Sequence, residues 1–399
     1  MSADYTSRVS ISRCARYDPE EVDRAVAEVL DHLGGLKSIV HPGQTVLLKP
    51  NLLSPKFADT AATTHPTLVG AAAKAVMKLG AKPVIGDSPP FRGQTANTYE
   101  HVLRMTGMRE VADHLGVEIV SLDRPWREVG TGGKYFKKLP VAAAFLEADV
   151  VINLPKLKTH DLTAFTGAVK NMFGCIPGLK KSQLHLQAAE DRELFAQMIV
   201  DVFAACRPTI SIMDAVVGME GSGPSHGYVK QIGVILAGFD AVALDAVACE
   251  IVAIPPASVD TTRLAGEQGL GEARMERIEI VGENIERLRV TDFVPSPTVG
   301  AGMSQVPERF RGLLRNQLVP MPRVRADRCI ACGDCVKVCA VKSMELVPRG
   351  GSSPDKVARA DLLKCIACYC CDEACPHDAI NIRAGWFGEL LRRKRSYKK

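Results

Sequence analysis

A chain of 399 residues with 46% hydrophobic content has room for a large core and two or three domains. Its formal charge of +5 is concentrated at one end, where Arg383 to Lys399 carry a local +6 and leave the rest near −1; with aromatics at 5%, a nucleic-acid-binding role is not expected. No run of about 18 apolar residues is present, and Met1 to Tyr5 lack a basic segment followed by an apolar one, so neither a membrane span nor a secretory signal is expected.

Residues 8–12 read as a first strand. Asp18 then caps a helix with Glu20 and Glu21 in its first turn and an apolar stripe of Val22, Val26, Val29, Leu30 and Leu33. Thr45-Val46-Leu47-Leu48 is a short buried strand running into Lys49-Pro50-Asn51. A helix is expected from Pro66 to Leu79, then a strand at Pro83-Val84-Ile85 ending at Gly86-Asp87-Ser88. Helical patterns return near 98–115, and Val117 to Val120 and Ala148 to Ile152 are strands. Gln183 to Cys206 reads as one long helix, Thr209 to Val217 and Ile232 to Ala237 as strands, Asp240 to Val252 as a helix, and Ile278 to Val281 as a last strand. Apolar strands alternating with helices indicate an α/β fold, a mostly parallel open sheet with helices on both faces. This body is expected over residues 1–291. A linker rich in Pro, Gly and Arg follows at 292–322, then a cysteine-rich module at 323–384 and a basic tail at 385–399.

Polar motifs follow several of these strands, where open α/β sheets bind ligands. They are Lys49-Pro50-Asn51, Asn153 to His160, Thr166 to Gly174, and Asp214 through a glycine-rich loop to Gly227. Lys156 and Lys158 alternate and so share one face of an extended strand. Together with Lys49, Asn51, Lys170 and Asn171 they suggest a pocket for an anionic small molecule. Gly221 and Gly223 are placed to let backbone N–H groups approach an anion. Neither a P-loop nor a G-x-G-x-x-G fingerprint is present. His160, Asp214 and Glu220 are the candidates for proton transfer. Blander roles stand beside these. The lysines suit a solvated surface, His160 a structural hydrogen bond and Glu220 a loop brace. Asp245, mid-helix among apolar residues, suits either a functional role or an internal pair, and His65-Pro66 opens a helix. Cys14, Cys175, Cys206 and Cys249 read as buried fillers, Cys175 being the one to test as a thiol.

The module carries C-x₂-C-x₂-C-x₃-C twice, as Cys329, Cys332, Cys335, Cys339 and as Cys365, Cys368, Cys371, Cys375. This is bacterial iron–sulfur spacing, in which a tight loop turns three thiolates to a common centre. Structural zinc prefers separated cysteine pairs, and a cytosolic chain does not keep disulfides. Ala340 stands where proline is usual after the first run. Cys370 is a ninth cysteine, either a small filler or a competing ligand.

The module resembles a bacterial two-cluster ferredoxin. That resemblance implies two 4Fe–4S clusters with crossed ligation, one on Cys329, Cys332, Cys335 and Cys375, the other on Cys365, Cys368, Cys371 and Cys339. The body resembles the "domain of unknown function 362" group of Fe–S centre proteins. The likeness rests on Lys49-Pro50-Asn51-Leu52, Gly86-Asp87-Ser88, Pro155 to His160, Gly167 to Gly174, and Asp214 with Gly221 to Pro224. It implies a common site in the α/β body, often with a ferredoxin module behind it, but no settled reaction. A flavin or other organic cofactor is neither indicated nor excluded. The function expected is a cytoplasmic oxidoreductase that passes single electrons from the clusters to an anionic substrate or cofactor, with a redox partner protein as donor. One alternative is a non-catalytic electron-transfer or assembly partner whose α/β domain senses a ligand or docks. Another is a non-redox transferase or hydrolase with structural clusters. The basic tail suggests peripheral membrane contact only as a lesser option.

Overall fold

The computed structural model describes residues 6–88, 99–188, 191–296, 317, 319–350 and 355–386. The expected basic tail lies almost entirely outside them, as does most of the expected linker.

The body's strands are β1 (Ser7–Arg13), β2 (Thr45–Pro50), β3 (Lys82–Asp87), β4 (Glu118–Ser121), β5 (Trp126–Gly130), β6 (Lys138–Ala142), β7 (Val150–Leu154), β8 (Lys156–His160), β9 (Ala164–Thr166), β10 (Ile210–Glu220), β11 (Tyr228–Gly238) and β12 (Ile278–Gly282). Its helices are α1 (Pro19–Asp31), α2 (Pro66–Met77), α3 (Tyr99–Met105), α4 (Met108–Leu115), α5 (Ala143–Glu147), α6 (Ala168–Asn171), α7 (Gly178–Ala188), α8 (Arg192–Ala205), α9 (Ala241–Ile251) and α10 (Asp260–Glu267). The main sheet runs β12-β1-β11-β10-β7-β2-β3-β4. Its pairings are parallel except the two made by β11, antiparallel to β1 and to β10.

Two cores, one on each face, explain the uninterrupted apolar strands. In β2, Val46 and Leu48 point into a core with α1 and α2, including Val26 and Val69. Leu47 points the other way, toward Met198 of α8 and Val247 of α9. Local caps set the helix starts. Asp18 accepts the Glu21 N–H at 3.1 Å ahead of Pro19 in α1, and His65 Nδ1 accepts the Thr67 N–H at 3.3 Å ahead of Pro66 in α2. The expected single helix from Gln183 to Cys206 is instead two, α7 and α8. Asp191 caps the second by accepting the Leu194 N–H at 2.9 Å, a start signal inside a continuous helical pattern.

Strand β10 is 11 residues long and pairs with two strands in succession. Ile210 and Ser211 face β7. Beyond Pro155 the same chain becomes β8, whose Lys156 and Lys158 face Asp214 and Met219. β8 therefore extends the sheet past its carboxyl edge, into the region where a ligand would sit.

The module has strands β13 (Met321–Val324), β14 (Met344–Pro348), β15 (Lys356–Ala360) and β16 (Ile380–Arg383), with short helices α11 (Asp334–Val338) and α12 (Cys370–Glu373). Two antiparallel pairs, β13-β16 and β14-β15, frame a small core that includes Cys335, Cys370 and Cys371. It sits against the body. Leu162, just after β8, packs with Met321, Cys365, Ala367 and Tyr369. His226 Nε2 and Asp372 are 2.6 Å apart, and Lys56 pairs with Asp378 at 2.9 Å.

Candidate functional site

The carboxyl ends of β2, β3 and β7 hold a polar network. Lys49 Nζ donates to Asp87 Oδ1 at 2.8 Å and to the Pro50 carbonyl at 2.9 Å. Asp87 Oδ2 accepts the Leu52 N–H at 2.7 Å. Asn51 donates to Asn171 at 3.0 Å, and Asn171 donates on to Asn153 at 2.7 Å. The short helix α6 is fixed by Asp245, whose carboxylate accepts the Ala168 N–H at 2.5 Å and the Val169 N–H at 3.0 Å. Burial pushes that carboxyl up to about 7, against the pull of the two N–H groups. Asp245 is thus the internal cap that aims Lys170 and Asn171. Glycine is required twice here. A Cβ on Gly167 would lie 2.1 Å from Asp245 Oδ1, and one on Gly174 would lie 2.2 Å from Asp87 Oδ1 and 2.3 Å from Lys49 Nζ.

Between this network and the module lies a cavity of about 60 Å³, room for several water-sized groups. The body contributes Lys49, Asn51, Lys170, Asn171, Lys181 and His185. The module contributes Val338, Cys370 and Glu373. Lys170 makes no hydrogen bond or ion pair among the described residues. Burial lowers its ammonium to about 8, opposed by the Glu373 carboxylate. Burial likewise lowers Lys181, which donates to the Ser88 carbonyl, and pushes His185 down to about 3, so that His185 is neutral. Two of the residues on the cavity wall, Lys181 and His185, escaped sequence reasoning. They lie on α7, whose helical pattern gives no sign of which face meets the site.

The other expected site residues are placed elsewhere. Lys156 is fully buried, donating to Asp214 at 2.9 Å and to Tyr17 Oη at 2.6 Å. Asp214 also accepts the Tyr17 hydroxyl at 2.7 Å and the His65 N–H at 2.8 Å. Tyr17 and His65 stack with ring centroids 3.6 Å apart. Desolvation lowers His65 to about 4, so the ring that caps α2 is neutral. Lys158 donates to Asn51 Oδ1 at 2.7 Å and to the Ala62 carbonyl at 2.6 Å. Burial, then the charge of Lys170, pushes its ammonium well down. His160 is buried and held well below the usual imidazole range, first by desolvation and then by Lys170; its Nδ1 accepts the Leu162 N–H at 3.0 Å. Glu220 accepts the Val294 N–H at 2.9 Å. The Gly221 N–H donates to the Val294 carbonyl and the Gly223 N–H to the Gly221 carbonyl. A Cβ on Gly223 would lie 2.1 Å from the Thr159 carbonyl oxygen. Gly223 therefore closes the loop against β8, and the N–H groups of both glycines are already engaged.

In the module, a second cavity is lined by Cys329, Cys332, Cys335 and Cys375. Three come from the first cysteine run and one from the second, the same four that the ferredoxin resemblance implies for one cluster. Backbone N–H groups also reach sulfur: Ala358 to Cys329 at 3.4 Å, Ser343 to Cys339 at 3.2 Å, Ala367 to Cys365 at 3.4 Å and Ala379 to Cys375 at 3.3 Å. Such donors favour thiolate and cluster sulfur. The residues present fit 4Fe–4S clusters.

A family profile described as "Domain of unknown function (DUF362)" matches residues 46–250, which hold the sheet centre and its polar network. The chain belongs to the DUF362 family. A second profile, "4Fe-4S dicluster domain", matches residues 328–379, so this DUF362 protein is an iron–sulfur protein. A thylakoid-associated protein of Synechocystis sp. is 36% identical over 269 residues, 66% of this chain and 79% of that one. Among solved structures, the lactate racemase apoprotein from Thermoanaerobacterium thermosaccharolyticum aligns at 16% identity with a TM-score of 0.37, over 60% of this chain and 55% of that one. Among the described residues of the DUF362 chain, no helix is long and apolar enough to cross a membrane.

Proposed function

We propose that this protein is an oxidoreductase that moves single electrons from its clusters to a small anionic molecule held in the cavity between body and module. One observation carries this reading. The cavity has Lys49, Lys170 and Lys181 on one wall and Cys370 and Val338 on the other. Cys370 immediately precedes Cys371, and Val338 immediately precedes Cys339, both thiolates of the second cluster. An anion there would meet the ammonium of Lys170 and lie beside the cluster's protein shell. When bound, the cluster supplies one electron at a time. The chain's own residues do the rest: Lys170 and Lys181 offer positive charge, Asn51 and Asn171 orient, and neutral His185 and the Glu373 carboxyl stand at the wall as hydrogen-bonding groups. The cytosol is the compartment we assign, because the thiols must stay reduced before loading. The name of the Synechocystis relative supports association with a membrane surface as the variant of that assignment.

Native mass spectrometry on protein purified without oxygen tests the reading. Mass beyond two clusters, or uptake of an anionic metabolite from a supplied mixture, is expected in the parent protein. The Lys170→Met variant should lose it while keeping cluster absorbance. Clusters alone in both proteins, with no metabolite captured, would refute it. Such a result would favour a second reading, an electron-transfer partner without chemistry of its own. That reading draws on the internal satisfaction of Lys49, Lys156 and Lys158.

A further inference from the structure

The two clusters occupy unequal positions. Cys370 and Val338, each one residue before a ligand of the second cluster, line the cavity against the body. Leu162 of the body covers the loop of Cys365, Ala367 and Tyr369. The second cluster therefore faces inward. The first is lined by Ile330, which is 61% exposed, and by the exposed His377. It faces outward.

Basic residues surround it. Arg328, Lys342, Arg349 and Lys356 are exposed on the module. Arg328 precedes Cys329, which lines the first-cluster cavity. Arg349 donates to the carbonyls of Ala326 at 2.7 Å and Cys329 at 2.6 Å, and so lies over the same loop. The acids offset only part of this charge. Asp334 is buried and pairs with Lys337 at 3.6 Å, Asp372 is buried and Glu373 lines the inner cavity. Of the exposed acids, Asp327 is paired with Arg325 at 2.9 Å and Glu345 with Arg359 at 2.7 Å, while Asp355 lies across the β14–β15 hairpin from Arg349.

We infer that the face around Ile330 docks an acidic one-electron carrier protein, so that electrons enter at the first cluster and leave from the second. An apolar centre within a charged rim suits a transient interface, and complementary charge speeds encounter. The step balances without bonds or protons: the carrier's reduced cluster is oxidised by one electron, and the first 4Fe–4S cluster is reduced by one. The outward leg of this route rests on the function proposed above; the docking face does not.

The test uses the full-length, cluster-loaded protein and, as probe, a reduced acidic 2Fe–2S ferredoxin, mixed anaerobically and followed by cluster absorbance. The bimolecular rate should be high at low salt and fall as ionic strength rises. The Arg328→Glu/Arg349→Glu double variant should lower it by about tenfold or more and flatten the salt dependence. Reduction of the same variant by methyl viologen radical should match the parent, showing intact clusters. No anion is supplied in this assay, so its outcome is independent of whether the cavity binds one. Two results would each overturn the inference. One is an unchanged rate in the double variant. The other is a parent protein that methyl viologen reduces and the ferredoxin does not.

Discussion

Lys156 and Lys170 do different work, and substitution separates them. Lys156 has Asp214 and Tyr17 as partners in a fully buried cluster. Changing it to Met leaves the Asp214 carboxylate short of its cation, at a cost of about 3–5 kcal/mol. A large drop in thermal midpoint should show this. Lys170 has no such partner among the described residues, so Lys170→Met removes a costly buried charge. Its midpoint should hold or rise while anion capture is lost. Gly174→Ala should cost about 2 kcal/mol or more, because the new methyl must displace the Lys49–Asp87 pair, and the same midpoint reads it. His65 sets a pH dependence. Its folded-state value of about 4 lies below the ordinary 6.5, so between the two the unfolded chain binds the proton and the folded one does not. Stability is therefore full above about pH 6.5 and is lost as pH falls toward 4. Thermal midpoints taken from about pH 7.5 down to 5 should fall more steeply in the parent than in His65→Asn, which can cap α2 without titrating.

The elements that carry function are short and are held by distant residues, and this decided what could be read from sequence. The apolar strands and capped helices announced themselves, since Leu47 and Leu48 must each find a core. The cysteine spacing was equally plain. Lys156 and Lys158 alternate along β8 and are both buried, which alternation alone does not imply. Their partners Tyr17, Asp214 and Asn51 lie far off in the chain, so no local pattern could reveal that both ammoniums are already satisfied. The same holds for Asp245, whose role as the cap of α6 needs the α9–α6 contact. The β5–β6 hairpin went unseen because β5 is largely exposed and Pro140 interrupts the short buried pattern of Leu139, Val141 and Ala142 in β6. Strand β11 was seen, but its direction depends on the chain reversal after Glu220, which hydrophobic pattern does not encode.

At the scale of the molecule, the body and the module differ in what holds them up. The body has two extended cores; the module has a small one in which cysteines are main contributors. A unit of that size needs a staple, and metal clusters are the one its residues fit. Iron removal by a chelator without oxygen should therefore abolish hydrogen-exchange protection in β13 to β16. Protection in β2, β7 and β10 should persist. Loss of protection in both regions together would mean that the body depends on the clusters too.

The cavity draws its walls from Lys49 and Lys170 on one side and from Cys370 and Glu373 on the other, so neither part owns it. Any molecule that settles there acts as a mortar between them. By linkage, the free energy with which it favours the docked arrangement equals the free energy by which docking favours it. A filled cavity should then keep the module pressed to the body, and an empty one should release part of that hold. The His226–Asp372 and Lys56–Asp378 contacts remain as the permanent hinge pins. Occupancy of the pocket would in this way be sensed as the tightness of the joint through which the electrons pass.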